Sequence, residues 1–226
     1  MKFNRRSPHF RFYRSNPLLY KLFPGILWHG NREKRTVYLT FDDGPDPQFT
    51  PQILDILARY SVPAVFFLVG QKADRFPQLA RRIAEEGHTP GNHSFSHEKM
   101  ILRDKDWIRN QLLSTQRSIE KAAGITARFF RPPYGWFDKR LLKIATELKL
   151  ETVIWDLLPY DTVADEAPHI TERILKYVRG GSIIDLHDGH ARSSVIVAAL
   201  PGLIAALRDR GMQFASLDED FPPPSE

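Results

Sequence analysis

The chain has 226 residues, enough for one generous domain, and its 42% hydrophobic and 26% charged residues exclude a disordered or fibrous protein. Zero cysteines exclude a disulfide framework, a thiol nucleophile and a thiolate metal site. Thirty-two Lys and Arg against 27 Asp and Glu leave a net charge of +5, much of it near the amino terminus; this suits an anionic partner without selecting one, and nucleic acid is not expected.

Residues 1–35 read as a basic N-terminal arm. Leu18 to Trp28 is apolar but interrupted by Lys21, Pro24 and Gly25, so no unbroken signal-peptide core is visible. The longest apolar run, Val195 to Leu207, contains Pro201 and Gly202 and falls short of the roughly 20 residues that span a bilayer. The plain expectation is an arm packed on the domain; the alternative is a basic, aromatic strip making peripheral membrane contact. With no export signal visible, the sequence by itself points to the cytoplasm. Oligomeric state is not legible.

From Thr36 onward, short β-branched or aromatic runs alternate with longer amphipathic stretches. The predicted strands are Thr36–Phe41, Ala64–Val69, Thr89–His93, Arg128–Arg131, Thr152–Trp155, Ser182–His187 and Gln213–Ser216. Helices are predicted near 50–60, 75–86, 104–122, 137–148, 166–178 and 193–210, with Thr50-Pro51 as a capping hydroxyl and a first-turn proline. Alternation of this kind implies parallel strands and right-handed crossovers. The expected fold is therefore α/β, a distorted (β/α)7-type barrel over residues 36–218; a doubly wound open sheet remains the alternative. Residues 219–226 read as a flexible tail.

Reactive residue types gather just after the strands. Asp42 and Asp43 follow the first, His93 and His97 the third, Arg131 and Tyr134 the fourth, Asp156 and Asp161 the fifth, and His187 and Asp188 end the sixth. In parallel α/β folds the carboxyl ends of the strands build the active site, so the catalytic groups are expected there. Two histidines four apart and one carboxylate can hold a catalytic divalent ion with positions left open. The doublet offers one carboxylate as ligand and leaves the other free as a general base. His187 is placed to donate a proton, Arg131 to keep the free aspartate ionised through a bidentate contact, and Tyr134 to offer a backbone N–H to an oxyanion. That set spells metal-assisted hydrolysis of an acyl bond.

The motifs TFDDGP, His-Ser-x-x-His, Arg-Pro-Pro-Tyr-Gly and Leu-His-Asp-Gly, in this order from Thr36 to Leu217, resemble the polysaccharide deacetylases of carbohydrate esterase family 4, the NodB-homology domain. The resemblance implies a metal-dependent hydrolase that removes acetyl groups from N-acetylated, sometimes O-acetylated, sugars of a cell-wall or extracellular polysaccharide. It implies one divalent ion, Zn²⁺ first, with Co²⁺, Ni²⁺ or Fe²⁺ open. Carried over, Asp42 is the base, and Asp43, His93 and His97 are the ligands. Arg131 orients the base, the Tyr134 amide stabilises the oxyanion and His187 is the acid. Pro133, Tyr134, Trp136 and Leu186 are expected on the substrate side, with Trp136 or Phe137 stacking on a sugar ring.

Two positions depart from the family pattern. Its Asp-x-x-Asp-Trp motif aligns with Leu158-Pro159-Tyr160-Asp161-Thr162, so its first aspartate is missing; WDLLPYD reads as a variant in which Asp156 follows the tryptophan. Two residues before the acid histidine, where the family places an apolar wall for the acetyl methyl, stands Asp185. Strand alternation puts Asp185 on the His187 side, one layer deeper. Two roles are open to it: support of protonated His187 in place of the lost aspartate, or a structural place against a helix with a backbone amide. His88, His169 and His190 are expected on loops or surface, Trp107 in helix packing, and Trp155 in the barrel wall. The alternative functions are a deformylase or amidase on a lipid-linked sugar or small amide, and a catalytically silent carbohydrate-binding relative.

Overall fold

The computed structural model describes residues 14–164 and 166–222. The remaining residues of the expected arm (1–13) and tail (223–226) lie outside the described part. After α1 (Pro17–Leu22) the strands are β1 (Thr36–Asp42), β2 (Ala64–Leu68), β3 (Thr89–Asn92), β4 (Phe129–Phe130), β5 (Glu151–Thr152), β6 (Ile183–His187) and β7 (Gln213–Phe214). The helices among them are α2 (Thr50–Tyr60), α3 (Gly70–Arg75), α4 (Pro77–Glu85), α5 (Lys105–Ala123), α6 (Lys139–Glu147), α7 (Ala167–Tyr177), α8 (Ser194–Asp209) and α9 (Leu217–Asp220).

All strand pairs are parallel, in the order β5-β4-β3-β2-β1-β6, with β7 beside the start of β1. The sheet curls into a distorted barrel rather than the open alternative. The segment after β5 bridges its two edges: the amides of Asp156 and Leu157 donate to Ile183 O (3.0 and 3.1 Å), and Asp185 N donates to Leu157 O (2.9 Å). Leu27 of the arm inserts beside Val153 at the same seam.

Parity along the strands sorts the side chains into two shells. Tyr38, Val65, Phe67, Phe129, Val153 and Ile183 fill the barrel interior. Val37, Leu39, Phe41, Phe66, Leu68, Ile184 and Leu186 face outward onto α2 and α8. The top layer of the interior is polar, and that is where the site forms.

Local chemistry adjusts three expectations. The helix expected over 75–86 is α4, which starts at Pro77 because Phe76 before it leaves helical geometry (φ −129°, ψ 57°), and the short α3 ahead of it was not expected. Thr50 is inside α2 and caps nothing there; its hydroxyl donates to Asp188 instead, while Asp46 accepts from Gln48 N and Phe49 N. Residues 219–222 pack on the barrel, where Asp220 accepts from Tyr38 Oη (2.7 Å) and Lys34 Nζ (2.6 Å). On the arm, Ile26 and Trp28 are buried against Ile154. Among the described residues no helix is long and apolar enough to cross a membrane.

Candidate active site

β1 delivers Asp42 as its last residue, and the chain then turns sharply through Asp43 (φ 71°). His97 (φ 57°) and Tyr134 (φ 62°) also occupy the left-handed region. Such conformations cost on the order of 1–3 kcal/mol each and persist where surrounding structure enforces them. The result is a compact trio: Asp43 Oδ1 lies 2.9 Å from His97 Nε2 and 3.4 Å from His93 Nε2. His93 Nδ1 sits 2.7 Å from Arg131 O. A carbonyl only accepts, so Nδ1 carries the proton and Nε2 is free to ligate. Burial by itself would raise the Asp43 carboxyl, but the close His93 and His97 rings outweigh it and hold it well below the carboxylate range. Two imidazole nitrogens and one ionised carboxylate, converging within 4.8 Å, suit a divalent ion of the zinc type.

Beside the trio stands Arg131, fully buried, with its guanidinium over the Phe67 ring (4.2 Å). The expected bidentate contact is not made. One nitrogen, Nη1, serves Asp42 Oδ1 (2.7 Å), Thr40 Oγ1 (2.8 Å) and Asp185 Oδ1 (3.1 Å), while Nε and Nη2 are buried without a hydrogen-bond partner among the described residues. Asp42, Asp185 and His187 also converge within 4.8 Å, but the shared guanidinium charge disfavours a second cation there.

His187 is held by Asp161, which accepts from its backbone N–H (2.8 Å) and contacts Nδ1 (3.0 Å), leaving Nε2 for the pocket. Burial works against a protonated ring, but the charges of Asp161 and then Asp185 outweigh it, so the pKa of His187 is raised well above its usual value. The carboxylate in contact with His187 is Asp161, while Asp185 adds its charge from nearby and accepts from Arg131. Asp185 does not turn outward to a helix. Asp156, the other candidate for the missing aspartate, alternates away from the site and binds Arg32, Arg179 and Ser182. The turn that brings Asp161 inward begins at left-handed Tyr160 (φ 58°). The clue in the sequence was the aspartate that the altered motif retains.

Underneath, Asp188 braces the ligand loop. Its N–H donates to Asp42 O (3.1 Å), its carboxylate accepts from Thr50, and burial pushes its pKa up to about 7. Lys72 Nζ ties Asp43 O (2.7 Å) to Gly189 O (2.9 Å). A Cβ on Gly189 would fall 1.9 Å from Asp43 O, so only glycine lets the two loops approach this closely.

The site opens into a cavity of about 330 Å³ lined by Asp42, Asp43, His93, His97, Tyr134, Trp155, Leu158, Tyr160, Thr162, Asp185, His187 and His190. The amides of Gly135 and Trp136 are used within their turn (2.9 and 3.3 Å), whereas that of Tyr134 has no acceptor among the described residues. Trp155 and His190 therefore belong to the pocket, not to wall or surface. Leu186 does not: alternation sends it outward into the core between sheet and helices. Pro133 is buried in the turn and absent from the lining. Phe137 packs edge-on against Phe23 (5.0 Å) and is not free to stack. Trp136 stands 50% exposed beside Lys99, whose Nζ lies 4.6 Å from its ring. Among the other bland assignments, His169 is exposed and Trp107 packs on the helix core, but His88 is buried against Phe66. A larger apolar hollow of about 840 Å³, between the arm and α6, shares none of the acids or histidines that line the site.

Comparison with known proteins agrees with this fold. The family model described as polysaccharide deacetylase matches residues 29–153. A peptidoglycan-N-acetylglucosamine deacetylase of Bacillus cereus is 40% identical over 195 residues, covering 85% of this chain and 70% of the relative. A chitooligosaccharide deacetylase of Sinorhizobium fredii is 38% identical over 196 residues, covering 82% and 91%. Among solved structures, a peptidoglycan N-acetylglucosamine deacetylase superposes with a TM-score of 0.87 at 36% identity, covering 94% of this chain and all of the other. A family 4 pseudoenzyme from Bacillus anthracis superposes at 0.80 with 30% identity, covering 85% and 67%.

Proposed function

Because this chain belongs to the polysaccharide deacetylase family, we propose that it hydrolyses the N-acetyl groups of a glucosamine-containing glycan with the help of one divalent ion. The observation that carries the reading is the convergence of Asp42, the Asp43–His93–His97 trio and His187 on one pocket. The activities of the relatives, on peptidoglycan and on chitooligosaccharides, both support a glycan substrate.

Asp43, His93 and His97 would hold the ion, which when bound polarises an acyl oxygen and acidifies water. Asp42, held by Arg131 Nη1 at 2.7 Å, takes the proton from the attacking water. The free N–H of Tyr134 receives the charge that develops on the acyl oxygen. His187, held by Asp161, gives a proton to the departing nitrogen, so acetate and a free amine leave. A silent binding role is disfavoured by the presence of every one of these groups in a single cluster.

The reading is tested by acetate release from chitooligosaccharides and peptidoglycan, using chelator-treated protein with and without Zn²⁺. Release that requires the ion is expected. No release from any acetylated glycan by protein carrying one ion per chain would overturn it.

The acid limb of the chemistry can be tested separately. The pKa of His187 is raised, so the ring stays protonated above its usual value of about 6.5 and the basic limb of the rate profile lies above that pH. Asp161→Asn removes the charge favouring the imidazolium, so that limb should move to lower pH. A limb that stays in place would assign it to another group.

A further inference from the structure

Asp185 contributes charge beside His187, but the catalytic scheme above gives it no contact with the substrate. It is 1% exposed, yet its carboxylate lines the reacting pocket, and its ligating atoms come within 4.8 Å of those of Asp42 and His187. A desolvated carboxyl in such a place is costly unless something engages it.

Neutralising Arg131 does not account for it. The guanidinium already binds Asp42 at 2.7 Å, and Asp185 adds a longer third contact, 3.1 Å, to the same nitrogen. A carboxylate positioned to satisfy the arginine would meet Nε or Nη2, which are buried and without partners among the described residues. The contact from Arg131 engages Oδ1, and Oδ2 has no hydrogen-bond partner among the described residues.

What enters is fixed by the chemistry already placed. The acyl carbon must lie within reach of the base Asp42 and of His187, the donor to its nitrogen. Asp185 adjoins both, so the third substituent of that carbon falls beside it. A methyl group there would leave a polar atom desolvated and unpaired. A hydroxymethyl group would hydrogen-bond to it.

We propose that Asp185 is a specificity-determining residue that selects an N-acyl group carrying a hydroxyl on the carbon next to the carbonyl, of which glycolyl is the simplest. The inference rests on the deacylase reading and names the acyl group it prefers. The reaction balances as ordinary amide hydrolysis. Water oxygen bonds to the acyl carbon, the C–N bond breaks, its electron pair goes to nitrogen with a proton from His187, and the water's own proton passes to Asp42. The products are glycolate and the free amine.

The test compares matched N-glycolyl and N-acetyl glucosamine oligomers on Zn²⁺-loaded wild type, Asp185→Leu and Asp185→Asn, measuring glycolate and acetate. A site built to bind a hydroxyl loses its preference when the partner is removed, so the glycolyl-to-acetyl ratio of kcat/KM should fall about 10- to 100-fold in Asp185→Leu. Asp185→Asn, which keeps the shape and can still hydrogen-bond, should stay closer to wild type. If Asp185→Leu does not fold, competition by glycolate and acetate for the wild-type site decides, with tighter binding of glycolate expected. Acetate release with the same ratio in wild type and Asp185→Leu, or equal binding of the two acids, overturns the inference alone. Release of neither acid from either substrate overturns the deacylase reading with it.

Discussion

Asp42→Asn should lower kcat/KM for glycan deacetylation by about 10²–10⁴-fold, or roughly 3–5 kcal/mol in the barrier, without loss of bound metal. The argument is geometric. Asp42 Oδ1 is held by Arg131 Nη1 at 2.7 Å, while Oδ2 faces the ligand side, 3.6 Å from His93 Nε2. An asparagine must give its single carbonyl oxygen to Arg131, because a guanidinium only donates. That turns the amide NH₂ toward the water to be activated, where an acceptor is required. Asp43, His93 and His97 are untouched, so metal content measured by elemental analysis should match wild type. In Asp43→Asn the order is reversed, with metal lost first and activity lost as its consequence. Equal metal loss in the two variants would show that Asp42 is itself a ligand.

The strands and most of the helices were legible because alternating apolar runs of period two and longer amphipathic stretches determine both elements, and parallel βα alternation leaves few topologies. The trio was legible for a different reason: Asp43 and His93 follow directly on β1 and β3, and His97 lies four residues after His93 in the loop that leaves β3. What escaped depends on longer-range geometry. Asp161 lies nine residues beyond β5, after a stretch without regular structure, and only the left-handed turn at Tyr160 returns it to His187. Leu186 was misplaced although period-two alternation was available, since Asp185 and His187 facing inward forces it outward. His190 reaches the pocket from the loop that precedes α8, where no periodicity guides a prediction. Asp156 looked catalytic because it follows a tryptophan at a strand end, yet parity sends it to the opposite face.

That opposite face gives the second large effect. Asp156→Ala should destabilise the fold by about 2–4 kcal/mol, which for a chain of this size lowers the melting temperature by about 4–16 °C. Asp156 is fully buried and accepts from Arg32 (2.7 and 3.1 Å), Arg179 (3.1 Å), Ser182 Oγ (2.6 Å) and Tyr20 Oη (3.0 Å). Arg32 and Tyr20 come from the arm, Ser182 and Arg179 from the approach to β6, and the backbone of Asp156 closes the barrel seam on Ile183. One carboxylate thus fastens the arm to the point where the sheet has no continuous strand. Removing it leaves a cluster of cations without a counter-charge, and partial exposure of the arginines keeps the penalty below that of a fully buried pair. Arg14→Ala, whose Nη2 stands 4.0 Å away and partly in solvent, should cost less than about 1 kcal/mol. Thermal melts of the two variants separate the possibilities. A large loss confined to Asp156→Ala, with kcat retained below its melting temperature, fits a purely structural carboxylate. Lost turnover in protein that is still folded would mean that the seam also positions Trp155 and the pocket it lines.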